Sequence, residues 1–383
     1  MLILHWIFAV AAVGLLALRS RSAPGAAALA VLAGADIVLG ASVGPAVITA
    51  APLLVFLASA LTLAALVERS GLAQRAASLL ARLARGRTPV LYVLTCLLCA
   101  ALTCAVSLDG AVVLMVPVAL ALSEDFDVPV RPLLLGVIAV ANASSIAVPQ
   151  GNPTNLVLIA RLHLSPASFT AHMVVPGLGA AAMCAGAVAW CERRTLAGRY
   201  HAPPGERSPL SPAERQAAAS LLAAALTAWT APLLGIAPWW PFAGVVALAA
   251  VLAGARAPMV PWRIGVQVAA LVIVIGGLDL GAPALPRGPV GLLAVAGLLG
   301  AVAAIVNNLP ASVWAGALLA APAGYAATIG LAIGPLATPQ GSVATLIATD
   351  LAGDAAPALP LRRFAPIAAA ALTGAALLSW SGL

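Results

Sequence analysis

The sequence predicts an all-α polytopic membrane protein built from two related halves. Three observations predict this fold: a very apolar composition, long apolar stretches interrupted by Pro and Gly, and a short motif that occurs twice. Of the 383 residues, 63% are hydrophobic and 8% are charged, whereas soluble domains carry about 25% charged residues. Such a chain cannot cover a water-facing surface, which excludes a cytosolic enzyme, a secreted domain and a nucleic-acid-binding module.

The positive charges are distributed as in the loops of a membrane protein. All 19 basic residues are arginines, and they cluster between the apolar stretches. Such clusters mark the cytoplasmic side of polytopic proteins. If the interrupted stretches at 89–122 and 289–322 each enter and leave on one side, the clusters fall inside, with Arg161 and Arg287 as exceptions. This counting predicts a multi-pass protein of the plasma membrane (the bacterial inner membrane) with its N-terminus outside.

Pro, Gly and charged clusters divide the apolar stretches into elements, and a span needs about 20 apolar residues. The first half contains spans at 2–18, 24–42, 45–67 and 172–190, an arginine-rich amphipathic stretch at 68–87, and interrupted segments at 89–122 and 131–160. The second half contains spans at 216–235, 241–255, 263–280 and 363–381, and interrupted segments at 289–322 and 323–349. We therefore predict a first membrane repeat over 1–190, a cytoplasmic linker over 191–215 and a second membrane repeat over 216–383.

An internal repeat relates the two halves. Ala-Val-Pro-Gln-Gly-Asn at 147–152 matches Ala-Thr-Pro-Gln-Gly-Ser at 337–342, and Asp109 and Asn308 lie in interrupted segments upstream of the two copies. Each half then has five spans, one re-entrant helical hairpin and one broken helix. An odd number of crossings starts the second copy on the opposite side of the membrane. Inverted repeats with paired interrupted helices are typical of secondary transporters.

Four interruptions carry polar residues and form the candidate binding site. Irregular backbone within lipid is tolerated only where protein or a water-filled cavity satisfies its polar groups. The freed carbonyls and the ends of half helices can coordinate ions and polar solutes. A single break is more simply explained as a kink, but four breaks paired by the repeat favour a site. The candidate substrate-binding residues are Asp109, Gly110, Gln150, Gly151, Asn152, Asn155, Asn307, Asn308, Gln340, Gly341, Ser342 and Thr345.

Asp109 is also the candidate proton-coupling residue. A carboxylate deep in a membrane costs roughly 2.5–3.5 kcal/mol even on a mild insertion scale, and it marks a proton relay or an ion site. The alternative is a helix-capping carboxylate at the tip of a hairpin, and the two roles are compatible. Asp36, Asp279 and Asp350 lie nearer the ends of spans, where we expect carboxylates in contact with water.

Three cysteines, Cys96, Cys99 and Cys104, have a spacing close to that of thiolate metal sites. We favour apolar packing for them, because buried Cys often behaves as a small hydrophobe and a transporter has to release its solute. We predict no metal ligand, no cofactor and no catalytic group.

At several of these elements the sequence resembles the arsenite and antimonite permeases, the arsenical-pump membrane proteins of the ion transporter superfamily. The resemblance follows the family's order along most of the chain, through Glu-Arg-Ser-Gly-Leu at 68–72, Asp109-Gly110, Asn-Asn-Leu-Pro at 307–310 and Thr-Pro-Gln-Gly-Ser-Val-Ala-Thr-Leu at 338–346. It implies two re-entrant hairpins whose tips meet two unwound helices around one central site. It also implies export of arsenite or antimonite in exchange for protons, in some members with a cytosolic arsenite-stimulated ATPase.

The sequence departs from that family in three respects. Leu108 stands where the family usually has Asn before the hairpin Asp. Gly-Asn-Pro-Thr-Asn at 151–155 stands where its first broken helix usually reads Ser-Asn-Leu-x-Asn, and looks more like anion-permease relatives. The paired Ser-Asn-Thr motifs of sodium-coupled relatives do not occur, which favours proton coupling.

We predict a secondary transporter that exports arsenite or antimonite, as neutral trihydroxides, in exchange for protons. The four interruptions contain no Arg, and neutral amide, hydroxyl and backbone groups can hold such a solute. A Na+/H+-type cation/proton antiporter that uses Asp109 and Asn308, or an anion permease, is the alternative. An intramembrane enzyme or a channel is least favoured, since no second catalytic group accompanies the first. The predicted partners are the inorganic solute, protons and the bilayer, with no nucleic acid.

Overall fold

The computed structural model describes residues 2–19, 23–201, 209–237, 239–254, 262–276, 288–338, 341–357 and 361–381. Over these ranges the chain is almost entirely helical and contains no β-strand. The one extended pairing there is an isolated antiparallel bridge between Arg87 and Arg199. The predicted all-α fold class is confirmed.

The helices of the first half lie within a few residues of the predicted elements. They are α1 Leu2–Arg19, α2 Ala23–Val38, α3 Gly44–Arg69, α4 Leu72–Leu83, α5 Thr88–Ala105, α6 Leu108–Phe126, α7 Val130–Ser144, α8 Pro153–Leu162 and α9 Pro166–Cys191. Two short 3-10 turns, Ser145–Ala147 and Pro149–Gly151, replace regular helix between α7 and α8. Pro at the start of α8 and α9 favours initiation there, because the first helical N–H has no partner within the helix.

The second half follows a short helix in the linker. The helices are α10 Arg193–Leu196, α11 Pro212–Thr230, α12 Trp239–Leu252, α13 Trp262–Gly276, α14 Pro289–Val306, α15 Asn308–Leu318, α16 Ala321–Ile333, α17 Val343–Ala352 and α18 Leu361–Ser381. Further 3-10 turns cover Ala231–Leu234, Gly334–Ala337 and Gly353–Ala355. The turn at Gly334–Ala337 precedes the second break, as Ser145–Ala147 precedes the first.

Several helices have the length and composition of membrane spans. Within the described ranges, four pass that test: α5, α7 with the 3-10 turn after it, α9 and α14. The bent pair α3 and α4, with an angle of 71° between them, makes a fifth if it is counted as one span. The chain is therefore a multi-pass membrane protein. Helices α5 and α14 are the first arms of the predicted hairpins, and each is long enough to cross a membrane completely. Re-entry of these hairpins therefore stays a prediction.

The two halves pack on each other through the helices that follow their breaks. The second hairpin arm of the first half, α6, packs on α17, and the second arm of the other half, α15, packs on α8. The last helices of the two halves, α9 and α18, also pack together. This reciprocal packing brings the interrupted segments into one region. The opposite orientation of the two halves in the membrane stays a prediction.

The apolar core is built around α7. Every residue of this helix from Pro132 to Ser144 is buried, and the surrounding cluster includes apolar side chains from α5, α9 and α16. A central helix with no exposed face is typical of a span enclosed by other spans. The polar residues at the C-terminal end of α7 are therefore shielded from lipid by protein.

The predicted linker is attached to the first half by polar contacts. The N–H of Tyr200 donates to the carbonyl of Gly86 at 3.1 Å, and its hydroxyl donates to the carbonyl of Ala81 at 2.6 Å. Arg75 on α4 forms an ion pair with Glu214 in the first turn of α11, with 2.7 Å between Nε and Oε1. The amphipathic helix α4 thus contacts both the linker and the start of the second half. The domain boundaries themselves stay a prediction.

Candidate functional site

Four helices begin at one small pocket, two from each half. The pocket is lined by the first residues of α6, α8, α15 and α17. The N-cap residues of these helices, Ser107, Asn152, Asn307 and Ser342, are all buried. The lining residues are Leu108, Asp109, Asn152, Pro153, Thr154, Asn308, Leu309, Ser342 and Val343. The structure therefore brings together the four interruptions that the sequence singled out.

Each hairpin tip is closed by a side chain that caps the second arm. The Ser107 hydroxyl accepts a hydrogen bond from the N–H of Gly110 at 3.1 Å. The Asn307 side-chain oxygen accepts one from the N–H of Leu309 at 3.2 Å. Asn307 has a φ of +83° with a ψ of 150°, which lies outside the left-handed helical region and close to a conformation found almost only in Gly. Ser107 and Asn307 therefore hold the sharp turns at which α6 and α15 begin.

In the first break, two asparagine side chains satisfy polar groups of the irregular backbone. The Asn155 side-chain N–H group donates to the carbonyls of Ser145 and Val148 at 2.8 and 2.9 Å. The Asn152 side chain donates to the Ser145 hydroxyl at 3.1 Å and accepts from the N–H of Thr154 at 3.0 Å. These bonds hold the break in shape. The Asn155 amide nitrogen is therefore occupied by the protein's own carbonyls.

The second break is bonded directly to a hairpin tip. The main-chain N–H of Asn308 donates to the carbonyl of Gly341 at 2.9 Å. The Ser342 hydroxyl is fully buried and has no hydrogen-bond partner among the described residues. Buried hydroxyls are nearly always hydrogen-bonded, so Ser342 has capacity for a bound solute. Gln340, a predicted site residue, lies outside the described residues.

Asp109 lies in the first turn of α6 and lines the pocket. The residue is only 2% exposed, and its Oδ1 atom has no hydrogen-bond partner in the described part of the chain. The cap of α6 is Ser107, so the alternative that Asp109 caps the hairpin does not hold. An isolated buried carboxylate is costly unless a proton, a cation or a donor neutralises it. The arrangement therefore suits a group that exchanges a proton or contacts a bound solute.

The pocket is narrow and contains few charges. The centre of a water molecule can move through only about 10 Å³ of it, which is room for about one water. Asp109 is the one ionisable side chain among its described lining residues, and no Arg lines it there. Its positive potential comes from the four helix N-termini, each equivalent to roughly half an elementary charge. Helix N-termini bind phosphate and carboxylate groups through their N–H groups.

Some of the predicted site residues do not line the pocket. The Gln150 side chain points elsewhere and donates to the carbonyl of Cys104 at 3.1 Å. Thr345, in the first turn of α17, has its hydroxyl 3.5 Å from the side-chain nitrogen of Asn142. Gly110 and Gly151 are buried in the turn and the break. These residues support the site rather than form its surface.

Asn142 and Thr154 were not predicted from the sequence. Asn142 is fully buried on α7, where its side-chain nitrogen donates to the carbonyl of Ile138 at 2.9 Å and faces Thr345 of the other half. An amide inside a long apolar segment was the signal available for it. Thr154 lines the pocket between the predicted Asn152 and Asn155, so its position next to them was the signal.

The expectation that Asp36 is solvated is wrong. Asp36 is fully buried, and its Oδ1 atom lies 2.6 Å from Nδ1 of His5. Proximity to the end of a span predicted contact with water, but packing of α2 against α1 covers the carboxylate. Asp350 is exposed as expected, and Asp279 lies outside the described residues.

Comparison with known proteins identifies the family. A family model described as "CitMHS: Citrate transporter" matches residues 6–374, which includes both halves and every segment that lines the pocket. No curated protein matches the chain. The match supports the predicted place in the ion transporter superfamily but does not single out the arsenite permeases. The chain belongs to the citrate transporter family, and it is a secondary transporter of the membrane rather than an enzyme.

Proposed function

We propose that the chain is a proton-coupled secondary transporter of a small carboxylate anion, with citrate as the representative substrate. The observation that carries the proposal is the convergence of four helix N-termini on one pocket. These N-termini favour negative charge through their helix dipoles, while side chains of the protein already accept hydrogen bonds from the N–H groups of Gly110, Thr154 and Leu309. The match to the citrate transporter family supports the same class of substrate.

Asp109 provides a physical reason for coupling an anion to a proton. A substrate carboxylate and the Asp109 carboxylate would lie in the same small pocket, where two negative charges repel strongly because the dielectric constant is low. A proton on Asp109 removes this repulsion. Anion and proton therefore bind together and move in the same direction, as in a symporter.

The pocket has to widen for an anion of the size of citrate. In the described conformation it has room for about one water molecule, so the four helix starts lie too close together to admit such an anion. Alternating access through movement of one bundle against the other opens such a site to each side of the membrane in turn.

Export of arsenite or antimonite in exchange for protons is the second candidate. The small pocket suits a small solute, and the side chains of Asn152, Thr154, Asn308 and Ser342 are neutral hydrogen-bonding groups. The hydroxyls of a neutral trihydroxide could donate to the Asp109 carboxylate. Solute and proton would then compete for the same carboxylate, which gives exchange instead of symport. A cytosolic ATPase as partner belongs to this candidate.

Uptake into proteoliposomes under an imposed pH gradient tests both candidates. With one proton per solute, a gradient of about one pH unit should give about tenfold accumulation of citrate in the alkaline compartment. Collapse of the gradient with a protonophore should abolish this accumulation. Citrate accumulation that is unchanged after the collapse would contradict proton coupling.

Two further solutes distinguish the alternatives in the same vesicles. Accumulation of arsenite in the direction opposite to the proton flow, without uptake of citrate, would identify the protein as the second candidate, an arsenite/proton exchanger. Sodium that dissipates the pH gradient in the absence of either solute would assign a cation/proton antiporter instead.

A further inference from the structure

A second pair of ionisable groups lies between α1 and α2, away from the pocket. Nδ1 of His5 and Oδ1 of Asp36 are 2.6 Å apart. The Asp36 side chain is fully buried and that of His5 is 12% exposed. The second carboxylate oxygen of Asp36 has no hydrogen-bond partner among the described residues. Neither residue lines the pocket around Asp109.

The helices around this pair contribute few other charges. Both α1 and α2 pack against α13, and α1 also contacts α14. Besides His5 and Asp36, the ionisable residues of these four helices are Arg19, at the far end of α1, and Arg263, in the first turn of α13. The segment 277–287, which contains Asp279 and Arg287, lies outside the described residues.

The apolar packing beside the pair reaches the helices that form the pocket. One cluster contains Ala9 of α1, Ala33 of α2 and Val157 of α8, together with Leu309 of α15. The helices α8 and α15 both begin at the pocket, and Leu309 is one of its lining residues. The pair therefore lies on helices that share an apolar cluster with α8 and α15, whose first residues line the pocket.

Burying a carboxylate and an imidazole between two membrane helices costs free energy. Ionisable residues within membrane segments are rare, and they mark proton relays or ion paths. Replacing a buried ion pair by apolar residues is often neutral or stabilising, so helix contact alone does not require one. Histidine is the side chain whose charge changes most readily near neutral pH. The exposed edge of His5, close to the start of α1, gives protons access from outside the helix bundle.

We propose that His5 and Asp36 form a second proton-binding site, separate from the central pocket. In the deprotonated form, His5 is a neutral imidazole and Asp36 is a carboxylate. The Nδ1–H of His5 donates to the Asp36 carboxylate in both forms. A proton taken up from hydronium binds to Nε2 and gives the imidazolium, and water is released. The net charge of the pair alternates between −1 and 0. This change in charge takes place beside the helices that line the pocket.

Nitrogen-15 NMR of the full chain in lipid nanodiscs, with labelled histidine, tests the proposal without any transported solute. The chain has four histidines, and the His5→Gln variant identifies the His5 signal. We expect this signal to convert reversibly between the neutral and the protonated imidazole when the pH is varied. In the Asp36→Asn variant, the pH of this conversion should shift by about one unit or more.

His172 is the matched control within the same molecule. Its Nδ1 lies 2.7 Å from the carbonyl of Ser168, on α9 and not on the α1–α2 unit. The His172 signal should have the same chemical shift in the native and Asp36→Asn proteins, which also shows that the variant is folded.

Two results would overturn the proposal. The first is a His5 signal that keeps one protonation state over the whole pH range, since the pair would then be a fixed structural contact. The second is the same pH response of His5 in the native and Asp36→Asn proteins. The first result needs only the native protein, so it decides the question even if the variant does not fold. Neither depends on which solute the central site carries.

Discussion

The main-chain N–H of Asn308 donates to the carbonyl of Gly341 at 2.9 Å. Asn308 begins the second arm of a hairpin and Gly341 lies in the break before α17, so this bond fixes a hairpin tip to an interrupted helix. The close approach depends on glycine, because a Cβ at Gly341 would lie 2.6 Å from the Cα and carbonyl oxygen of Pro335. The repeat-related Gly151 is equally confined, with a Cβ position 2.3 Å from the Ser145 carbonyl oxygen.

The two breaks should therefore be intolerant of alanine. We expect Gly341→Ala and Gly151→Ala each to lower the free energy of unfolding by roughly 1–3 kcal/mol through overpacking, and to abolish uptake. Gly297→Ala is the control, because nothing lies within 4 Å of its Cβ position. The measurement is thermal unfolding of the purified proteins in detergent. Equal melting temperatures for Gly341→Ala and Gly297→Ala would contradict the packing described for the second break.

Removal of the Asn155 side chain should destabilise the first break. Asn155→Ala removes the side-chain donor to the carbonyls of Ser145 and Val148, although the Val148 carbonyl still accepts from the N–H of Gly151. An unsatisfied buried polar group costs about 1–3 kcal/mol. We expect denaturant unfolding to show a loss of about 2 kcal/mol or more. Thr373→Ala serves as the comparison, because this exposed threonine donates only to the carbonyl of Ala369 in its own helix. A loss no larger than that of Thr373→Ala would show that Asn155 does not hold the break.

Asp109→Asn should separate solute binding from proton coupling. The amide cannot take up or release a proton, so citrate exchange across the vesicle membrane should continue while accumulation driven by the pH gradient disappears. The matched control is Asp350→Asn, which changes an exposed carboxylate on α17. If the Asp109→Asn protein still accumulates citrate as the native protein does, another group carries the proton.

The ion pair between Arg75 and Glu214 should stabilise the protein in a pH-dependent way. The hydrogen bond from Arg75 lowers the pKa of Glu214 from 4.5 to about 2. Because the folded-state pKa is the lower one, the stabilisation is present above about pH 4.5 and is lost as the pH falls towards 2. Glu214→Gln should melt at a lower temperature than the native protein at neutral pH, and the two melting temperatures should converge in acid. A difference that persists unchanged through that interval would contradict the assignment.

Cys191 gives a direct test of the predicted orientation. It is the exposed cysteine at the end of α9, whereas Cys96, Cys99 and Cys184 are buried. With the N-terminus outside, Cys191 faces the cytoplasm. A membrane-impermeant maleimide should therefore label the protein in everted vesicles and leave it unlabelled in intact cells, with Cys191→Ser as the control for background. Labelling in intact cells would reverse the orientation.

The sequence alone determined the fold class and the positions of the four interruptions. Apolar length, Pro and Gly act on their own neighbours along the chain, so the breaks before α6 and α15 could be placed from local pattern. The repeat of Pro-Gln-Gly at 149–151 and 339–341 indicated that two of the breaks correspond. The family comparison then supported secondary transport of anions, which the sequence had left as an alternative, and arsenite export stays a proposal.

Only the tertiary structure decided which polar groups face the pocket. Asn152 and Asn155 belong to the same motif, yet the Asn155 amide is bonded to Ser145 and Val148, while Asn152 lines the pocket. In the same way, Asp36 lies near the end of a helix in sequence but is buried against His5. Hydrogen bonding and burial depend on neighbours that are distant along the chain. The local sequence pattern does not show which distant residues become neighbours, because the packing of the helices decides this.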